Sequence, residues 1–240
     1  MVRNVKARIV GARSMAEADS RPADESGSPA QSSSVSLAVL VTLLCLVSGS
    51  LDAISFLELG EAFASVMTGN IVFMGVALGT TDGQLAKFCG IALLGYTLGS
   101  LAGSRLTHRW RTPGEDQIWP ARVTKTLAVQ FVLLGISGAL WLKGGGEPGA
   151  LLQAVLLGLV AAAMGLQSAA VRAVGVTVST TYMTGALTAL LEAFATRRRF
   201  SSTESSAASG IAALLAGAAM GSAALLLLRE MALFVSAAPL

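Results

Sequence analysis

Long apolar runs separated by short polar stretches occupy the chain from about residue 35 onwards. A helix that crosses a bilayer needs roughly 17–25 apolar residues, and we therefore predict about seven membrane-spanning segments. They cover residues 35–56, 62–78, 85–106, 123–142, 150–171, 176–195 and 207–228. The predicted fold class is an all-α membrane protein.

Two copies of one polar, glycine-containing stretch interrupt these runs. Their shared positions are Gly49 with Gly165, Ala53 with Ala169, and Met67-Thr68-Gly69 with Met183-Thr184-Gly185. Because glycine tolerates unusual backbone angles, we predict helix breaks near mid-membrane at Gly49, Gly69, Gly165 and Gly185. The alternative for the two Thr-Gly motifs is close helix packing, in which Thr68 and Thr184 bond to a neighbouring helix. The duplicated spacing indicates an internal repeat.

A second set of glycines predicts close helix packing. Gly95, Gly99 and Gly103 recur every four residues, which places them on one helix face that a neighbouring helix can approach closely. Gly217 and Gly221 do the same in the last segment, and we match them with Gly95 and Gly99. Segments one to three would then correspond to segments five to seven.

The repeat divides the chain into regions. Residues 1–34 lack aromatic side chains and are rich in serine, alanine and charge, which predicts a disordered cytoplasmic tail. No apolar run of signal-peptide length precedes residue 35, so we expect the first segment to direct membrane insertion. A first three-helix repeat (35–106), a basic loop with a linker helix (107–149), a second repeat (150–230) and a short tail (231–240) follow.

Two topologies fit this pattern. Seven full spans, favoured by segment length, make the repeats parallel but place the basic stretch 105–122 outside when the tail is inside, against the positive-inside rule. If segments two and six instead re-enter the membrane, five helices span and the repeats are inverted. The tail, residues 105–122 and Arg197–Arg199 then share the cytoplasmic side.

Composition supports a membrane location and excludes several classes of function. Hydrophobic residues make up 53% of the 240 positions and charged residues 13%, whereas soluble domains have about 25% charged residues. The net charge of +3 comes from loops between apolar runs, so the predicted surrounding is the lipid bilayer and no nucleic-acid partner is expected. No phosphate-binding loop, metal-ligand cluster or catalytic triad is present, which predicts neither an enzyme nor a metal or cofactor.

Polar side chains inside apolar segments are the candidates for a substrate or ion site, because they are costly in hydrocarbon unless paired or hydrated. They are Asp52, Thr68, Asn70, Gln167, Arg172 and Thr184. Asp52 is either an ion or substrate contact or a hydrated residue near a helix end. Arg172 could pair with Asp52 across the repeat or extend to the headgroups.

The residues Ser48-Gly49-Ser50-Leu51-Asp52-Ala53, Met67-Thr68-Gly69-Asn70, Gly165-Leu166-Gln167-Ser168-Ala169 and Thr180-Thr181-Tyr182-Met183-Thr184-Gly185 resemble the YoaK family. The resemblance covers about residues 38–230. It implies a bacterial multi-pass inner-membrane protein from a family of unknown function, and it transfers no substrate or catalytic residue. Ser168 departs from the asparagine that many relatives carry there.

Two functions follow from the repeat and its polar positions. The first is a small-solute or ion transporter or channel with its site at the repeat interface. The alternative is a non-transporting membrane scaffold that associates through its glycine-lined helix faces, with a homo-oligomer as the expected assembly.

Overall fold

The apolar runs form helices, and helix is the regular structure of every described range. The computed structural model describes residues 29–109, 120–145, 148–174 and 183–237. The helices are α1 Pro29–Glu58, α2 Met67–Thr80, α3 Gly83–Arg109, α4 Ala121–Lys143, α5 Ala150–Ala173, α6 Met183–Ala195 and α7 Ser202–Ala237. With the hydropathy of these helices, the prediction of an all-α membrane protein is confirmed.

Helix length separates two groups. Five helices, α1, α3, α4, α5 and α7, are long and apolar enough to cross a membrane. The other two, α2 and α6, have 14 and 13 residues. At 1.5 Å per residue each measures about 20 Å, less than the roughly 30 Å hydrocarbon core.

The observed bounds refine the predicted regions. Residues 1–28 of the predicted tail lie outside the described residues, and α1 already begins at Pro29. The last helix runs to Ala237, through most of the predicted C-terminal tail. The second predicted segment, 62–78, is wrong in its first part, because α2 begins only at Met67 and a non-helical stretch precedes it.

Polar and apolar side chains are distributed as a bilayer requires. Large apolar side chains face outward, among them Val72 at 63% exposure and Leu215 at 73%. Polar side chains are buried inside instead, where they can bond with one another. These buried polar residues include Ser48, Asp52, Ser55, Ser65, Asn70, Thr126, Gln130, Ser137 and Gln167.

Helix α5 lies at the centre of the described bundle. In its apolar span 67% of the residues are buried, against 28–33% in the four other long helices. Glycines of α3 allow this central position, because they let α3 pack closely against one side of α5. A Cβ atom on Gly99 of α3 would overlap the carbonyl oxygen of Ala162 in α5.

Contacts between the long helices fix their relative directions. Helices α3 and α5 are parallel, because Gly95 meets Gly158 and, further along both helices, Gly103 meets Leu166. Helices α1 and α7 are parallel too, since the hydroxyls of Thr42 and Ser209 pair at one level and Ser50 donates to the Gly217 carbonyl beyond it.

Helix α5 runs opposite to both α1 and α4. Leu44 of α1 packs with Ala170, while Leu51, further along α1, packs in the cluster of Val160. Gln130 of α4 bonds to Gln167, and the later residue Trp141 packs against the Leu156 cluster. The long helices therefore alternate in direction along the chain.

The predicted breaks at Gly49 and Gly165 are wrong, because both residues lie inside continuous helices. Their lack of a side chain serves close packing instead. A Cβ on Gly49 would overlap the Leu214 carbonyl of α7, and a Cβ on Gly165 would overlap the Tyr96 carbonyl of α3. Both positions are therefore closed to any larger residue unless a helix moves.

The five glycines predicted to pack do lie against neighbouring helices, with Gly95, Gly99 and Gly103 on α5 and Gly217 and Gly221 on α1. Their correspondence differs from the predicted one. Gly217 and Gly221 of α7 approach Leu46 and Ser50 of α1. The alignment that pairs Gly49 with Gly165 also pairs Leu46 with Ala162 and Ser50 with Leu166. Ala162 and Leu166 are the residues of α5 that Gly99 and Gly103 approach. The contacts therefore match Gly99 and Gly103, one helical turn later than expected, with Gly217 and Gly221.

Candidate functional site

The chain reverses direction between α1 and α2. We call residues 59–66 the returning segment. Gly60 and Glu61 have positive φ angles of 92° and 57°, the left-handed backbone that a tight turn uses. A Cβ on Gly60 would also overlap the ring of Phe88, so both the backbone angle and the lack of space favour glycine at this position.

Asp52 holds the returning segment against α1. Its Oδ1 accepts a hydrogen bond from the backbone N–H of Ser65 at 2.7 Å, and its Oδ2 accepts one from the Ser65 hydroxyl at 2.5 Å. The aspartate is only 6% exposed. The two buried donors of Ser65 and the buried carboxylate of Asp52 thus satisfy each other.

The same carboxylate lies next to the N-terminus of α2. Val66, the residue before the helix, provides no side-chain cap. A helix N-terminus has unpaired N–H groups and the positive end of the helix dipole, both of which stabilise a nearby negative charge. Asp52 therefore acts on the start of α2 from a different helix.

This helix start lies deep inside the bundle. Ala64 is fully buried in a cluster with Val160 and Met164 of α5, Tyr96 of α3 and Leu134 of α4. These four partners all lie near the midpoints of their helices. The returning segment therefore reaches about mid-bundle before α2 leads the chain back.

Asn70 fixes the returning segment from the other side. Its Oδ1 accepts from the Phe63 N–H at 2.9 Å and its Nδ2 donates to the Phe63 carbonyl at 2.7 Å. The Phe63 ring forms a three-ring cluster with Phe56 and Phe73, and its centroid lies 5.1 and 5.9 Å from theirs. Two of the predicted site residues, Asp52 and Asn70, thus hold one irregular segment.

A groove of about 330 Å³ lies between α1, the returning segment and α7. Asp52 is its charged lining residue, and Phe56 and Phe63 form an aromatic wall. The remaining lining is small or apolar except for one hydroxyl: Gly49, Ala53, Leu57, Val66, Leu214, Ala218 and Ser222.

A second buried polar cluster joins three helices. Gln130 Nε2 of α4 donates to Gln167 Oε1 of α5 at 2.8 Å. Gln167 Nε2 donates to the Ser48 hydroxyl of α1 at 3.0 Å and more distantly to the Leu44 carbonyl. Since amides in hydrocarbon need partners, this cluster fixes the register of α1, α4 and α5.

The other predicted site residues do not join Asp52. Thr68 and Thr184 are exposed in the first turns of α2 and α6, and Arg172 is exposed in the last turn of α5. Asp52 bonds to Ser65 rather than to Arg172. Gly69 and Gly185 lie within the starts of α2 and α6, and the residues before α6, 175–182, lie outside the described part.

Two residues of the site were missed by sequence reasoning. Ser65 stands in an unremarkable apolar stretch, and only the chain reversal brings it to Asp52. Gln130 had a usable signal, because an amide in the middle of an apolar segment needs a polar partner within the protein.

Long apolar helices around a buried polar interior define this chain as a multi-pass α-helical membrane protein. A family model described as "Protein of unknown function (DUF1275)" matches residues 40–240, and the chain belongs to that family. It is 34% identical over 155 residues to the UPF0700 transmembrane protein YoaK of Bacillus subtilis (strain 168). That match covers 64% of this chain and 65% of the relative, just under two thirds of its length. No solved structure matches this chain.

Proposed function

We propose that this protein is a small-solute or ion transporter of the bacterial inner membrane, built from two inverted halves. The first half comprises α1 to α3 and the second α5 to α7, with α4 as the linker. In each half two helices span and the short helix re-enters. The chain acts as a carrier or channel, not as an enzyme.

The directions of the long helices support the inverted arrangement. If α2 crossed the membrane, α1 and α3 would be parallel, but they are antiparallel. This direction fits an α2 that begins and ends on the side of the membrane where α1 ends. The same reasoning applies to α5, α6 and α7. Because α1 and α5 occupy equivalent positions but run in opposite directions, the two halves would be related by an axis in the membrane plane, a known transporter architecture.

Matching interhelical contacts support the repeat itself. Gly49 of α1 meets Leu214 and Ala218 of α7, separated by one turn. Gly165 of α5 meets Tyr96 and Ser100 of α3 with the same separation. Each half thus contributes its first helix to a close parallel pair with the third helix of the other half.

The charge distribution favours the five-span topology over seven spans. With α2 and α6 re-entrant, the basic residues 105–122 and Arg197–Arg199 share one side with the N-terminal tail. That arrangement satisfies the positive-inside rule, which seven spans would break.

Cysteine labelling tests this topology. In a variant with Cys45 and Cys89 replaced by alanine, single cysteines are placed at Ser26, Gly114 and Lys143 and treated with a membrane-impermeant maleimide on intact cells. We expect labelling at position 143 only, with positions 26 and 114 reacting after permeabilisation. Seven spans would instead give positions 26 and 143 the same behaviour.

One observation carries the transport proposal: the start of α2 lies at mid-bundle, beside a buried carboxylate and a groove. Non-helical backbone at membrane depth is tolerated where protein or a hydrated cavity surrounds it. Broken segments of this kind at the midplane are the positions where transporters of inverted-repeat design bind substrate and coupling ions.

Untargeted metabolite profiling tests the transport proposal. A deletion strain is compared with strains that express the wild type, Asp52→Asn or Glu61→Gln at matched protein levels. We expect one solute to change in opposite directions on deletion and overexpression. The Glu61→Gln strain should match the wild type, because this exposed residue lies outside the groove, and the Asp52→Asn strain should match the deletion. A profile that does not respond to protein level contradicts the proposal.

The scaffold alternative has less support. Its glycine faces are used within one chain, since Gly99 and Gly103 lie on α5 and Gly217 and Gly221 lie on α1. These residues are therefore not free to join a second copy while the described packing persists.

A further inference from the structure

The groove between α1, the returning segment and α7 combines a buried carboxyl group with an aromatic and aliphatic wall. Asp52 supplies the carboxyl group, Phe56 and Phe63 the aromatic part, and Leu57 and Leu214 part of the aliphatic surface. Its volume of about 330 Å³ is at the lower end of the range of about 300–1,000 Å³ for ligand pockets. A molecule of few heavy atoms fits these dimensions.

The hydrogen bonds of Asp52 leave its charge without a cationic partner. The two carboxylate oxygens bond to the backbone N–H and the hydroxyl of Ser65, which is a neutral residue. Among the described residues that line the groove, none is a lysine, arginine or histidine. A carboxylate in an apolar surrounding attracts a cation more strongly than one in water does.

The aromatic wall favours a particular kind of cation. Aromatic faces attract organic cations and are the common recognition surface for alkylated ammonium groups. Alkyl groups on nitrogen would also contact the aliphatic lining. A bare metal ion would gain little here, because hard cations require several oxygen ligands and the described lining offers the Asp52 carboxylate and the Ser222 hydroxyl as side-chain oxygens.

We propose that this groove binds a small monovalent organic cation of the alkylammonium class, with Asp52 as its counter-ion and Phe56 and Phe63 as its aromatic contacts. The inference rests on the proposed transport function, of which the groove would be the substrate site. It names the substrate class that the geometry of the groove selects.

The test compares two molecules of nearly the same shape and different charge. Choline and its neutral isostere 3,3-dimethylbutan-1-ol are titrated calorimetrically into the purified full-length protein in lipid nanodiscs. We expect saturable binding of choline and binding of the isostere that is roughly tenfold weaker or weaker still. Equal affinities for the two molecules would overturn the proposal, as would the absence of choline binding.

Variants locate the site. Asp52→Asn should abolish choline binding, and Phe63→Leu should weaken it by roughly tenfold. Ser222→Leu should block the groove without touching the bonds between Asp52 and Ser65, so it tests the site even where Asp52→Asn fails to fold. Glu61→Gln should bind choline like the wild type. Unchanged binding in Ser222→Leu would overturn the assignment to this groove.

Native mass spectrometry separates the organic cation from a lipid in the same groove. A tightly held lipid that choline does not displace overturns the inference.

The outcomes of these experiments also separate the cation-binding proposal from the transport proposal. Uptake of another solute without choline binding removes the cation assignment and leaves the transport function. Choline binding in the groove without movement of any solute supports the site and contradicts the transporter.

Discussion

Replacing Gly99 with alanine is expected to destabilise the protein by about 3 kcal/mol, the upper end of the range for overpacked interiors. The added Cβ would overlap the carbonyl oxygen and the Cα atom of Ala162. These are backbone atoms of the buried central helix, so no side-chain rotation relieves the overlap and α3 must move away from α5. The free energy of unfolding in micelles, from denaturant titration, measures the effect.

Matched glycines in α4 supply the control for this variant. Gly135 and Gly138 have nothing within 4 Å of the position of a Cβ atom. Alanine there should leave stability unchanged or raise it by up to about 1 kcal/mol, because alanine has the higher helix propensity. If Gly99→Ala and Gly135→Ala unfold at the same denaturant concentration, the close packing of α3 on α5 is not what stabilises the fold.

Replacing Asp52 with leucine is expected to lower the free energy of unfolding by about 2–6 kcal/mol and to release the returning segment. The Ser65 N–H and hydroxyl would each lose their acceptor while buried, and each unsatisfied group costs about 1–3 kcal/mol. Asparagine should cost less, since its carbonyl oxygen can still accept from one of the two donors. Unfolding titrations give the cost, and hydrogen exchange of the amides of residues 63–66 reports the release.

Two further variants show whether the effect belongs to this contact. Thr97→Leu makes a similar polar-to-apolar change on α3, where the exposed hydroxyl bonds only to the Leu93 carbonyl of its own helix in the described contacts, and it should be nearly neutral. Ser65→Ala removes one donor, so the combination with Asp52→Leu should cost less than the sum of the two single changes. Additive costs would mean that Asp52 stabilises the fold through other contacts.

The long helices could be predicted because their signal is local. A span requires a continuous apolar run, and five of the predicted segments coincide with α1, α3, α4, α5 and α7 to within a few residues at most ends. The short helix α2 could not be separated from the returning segment in this way. Residues 62–66 are nearly as apolar as the helix that follows, although their backbone is not helical.

The glycines show a different limit. A glycine serves either backbone freedom or close approach, and the sequence does not distinguish the two. Gly60 serves backbone freedom, because its φ angle is positive. Gly49 and Gly165 keep a helical backbone and allow neighbouring helices to approach closely. The sequence predicts a repeat, but the alignment of that predicted repeat in α3 and α7 depends on which residues meet across the helix pairs.

The candidate site was predicted in part. Asp52, Asn70 and Gln167 were selected as costly polar groups in apolar sequence, and all three are buried and hydrogen-bonded. Their grouping was not predictable. Asp52 and Asn70 share the returning segment, Gln167 joins Gln130 and Ser48, and Thr68, Arg172 and Thr184 lie exposed elsewhere.

The amino-acid sequence is sufficient to establish the class of protein, the positions of the long helices and the polar residues that must find partners inside. These properties follow from composition and spacing along the chain, since the cost of transfer into hydrocarbon is a property of each segment. The packing of the helices was needed to show that the chain turns back at Gly60, that Ser65 meets Asp52, and that a groove opens beside them. Contacts between residues distant along the chain depend on the direction of each helix and on how closely it packs.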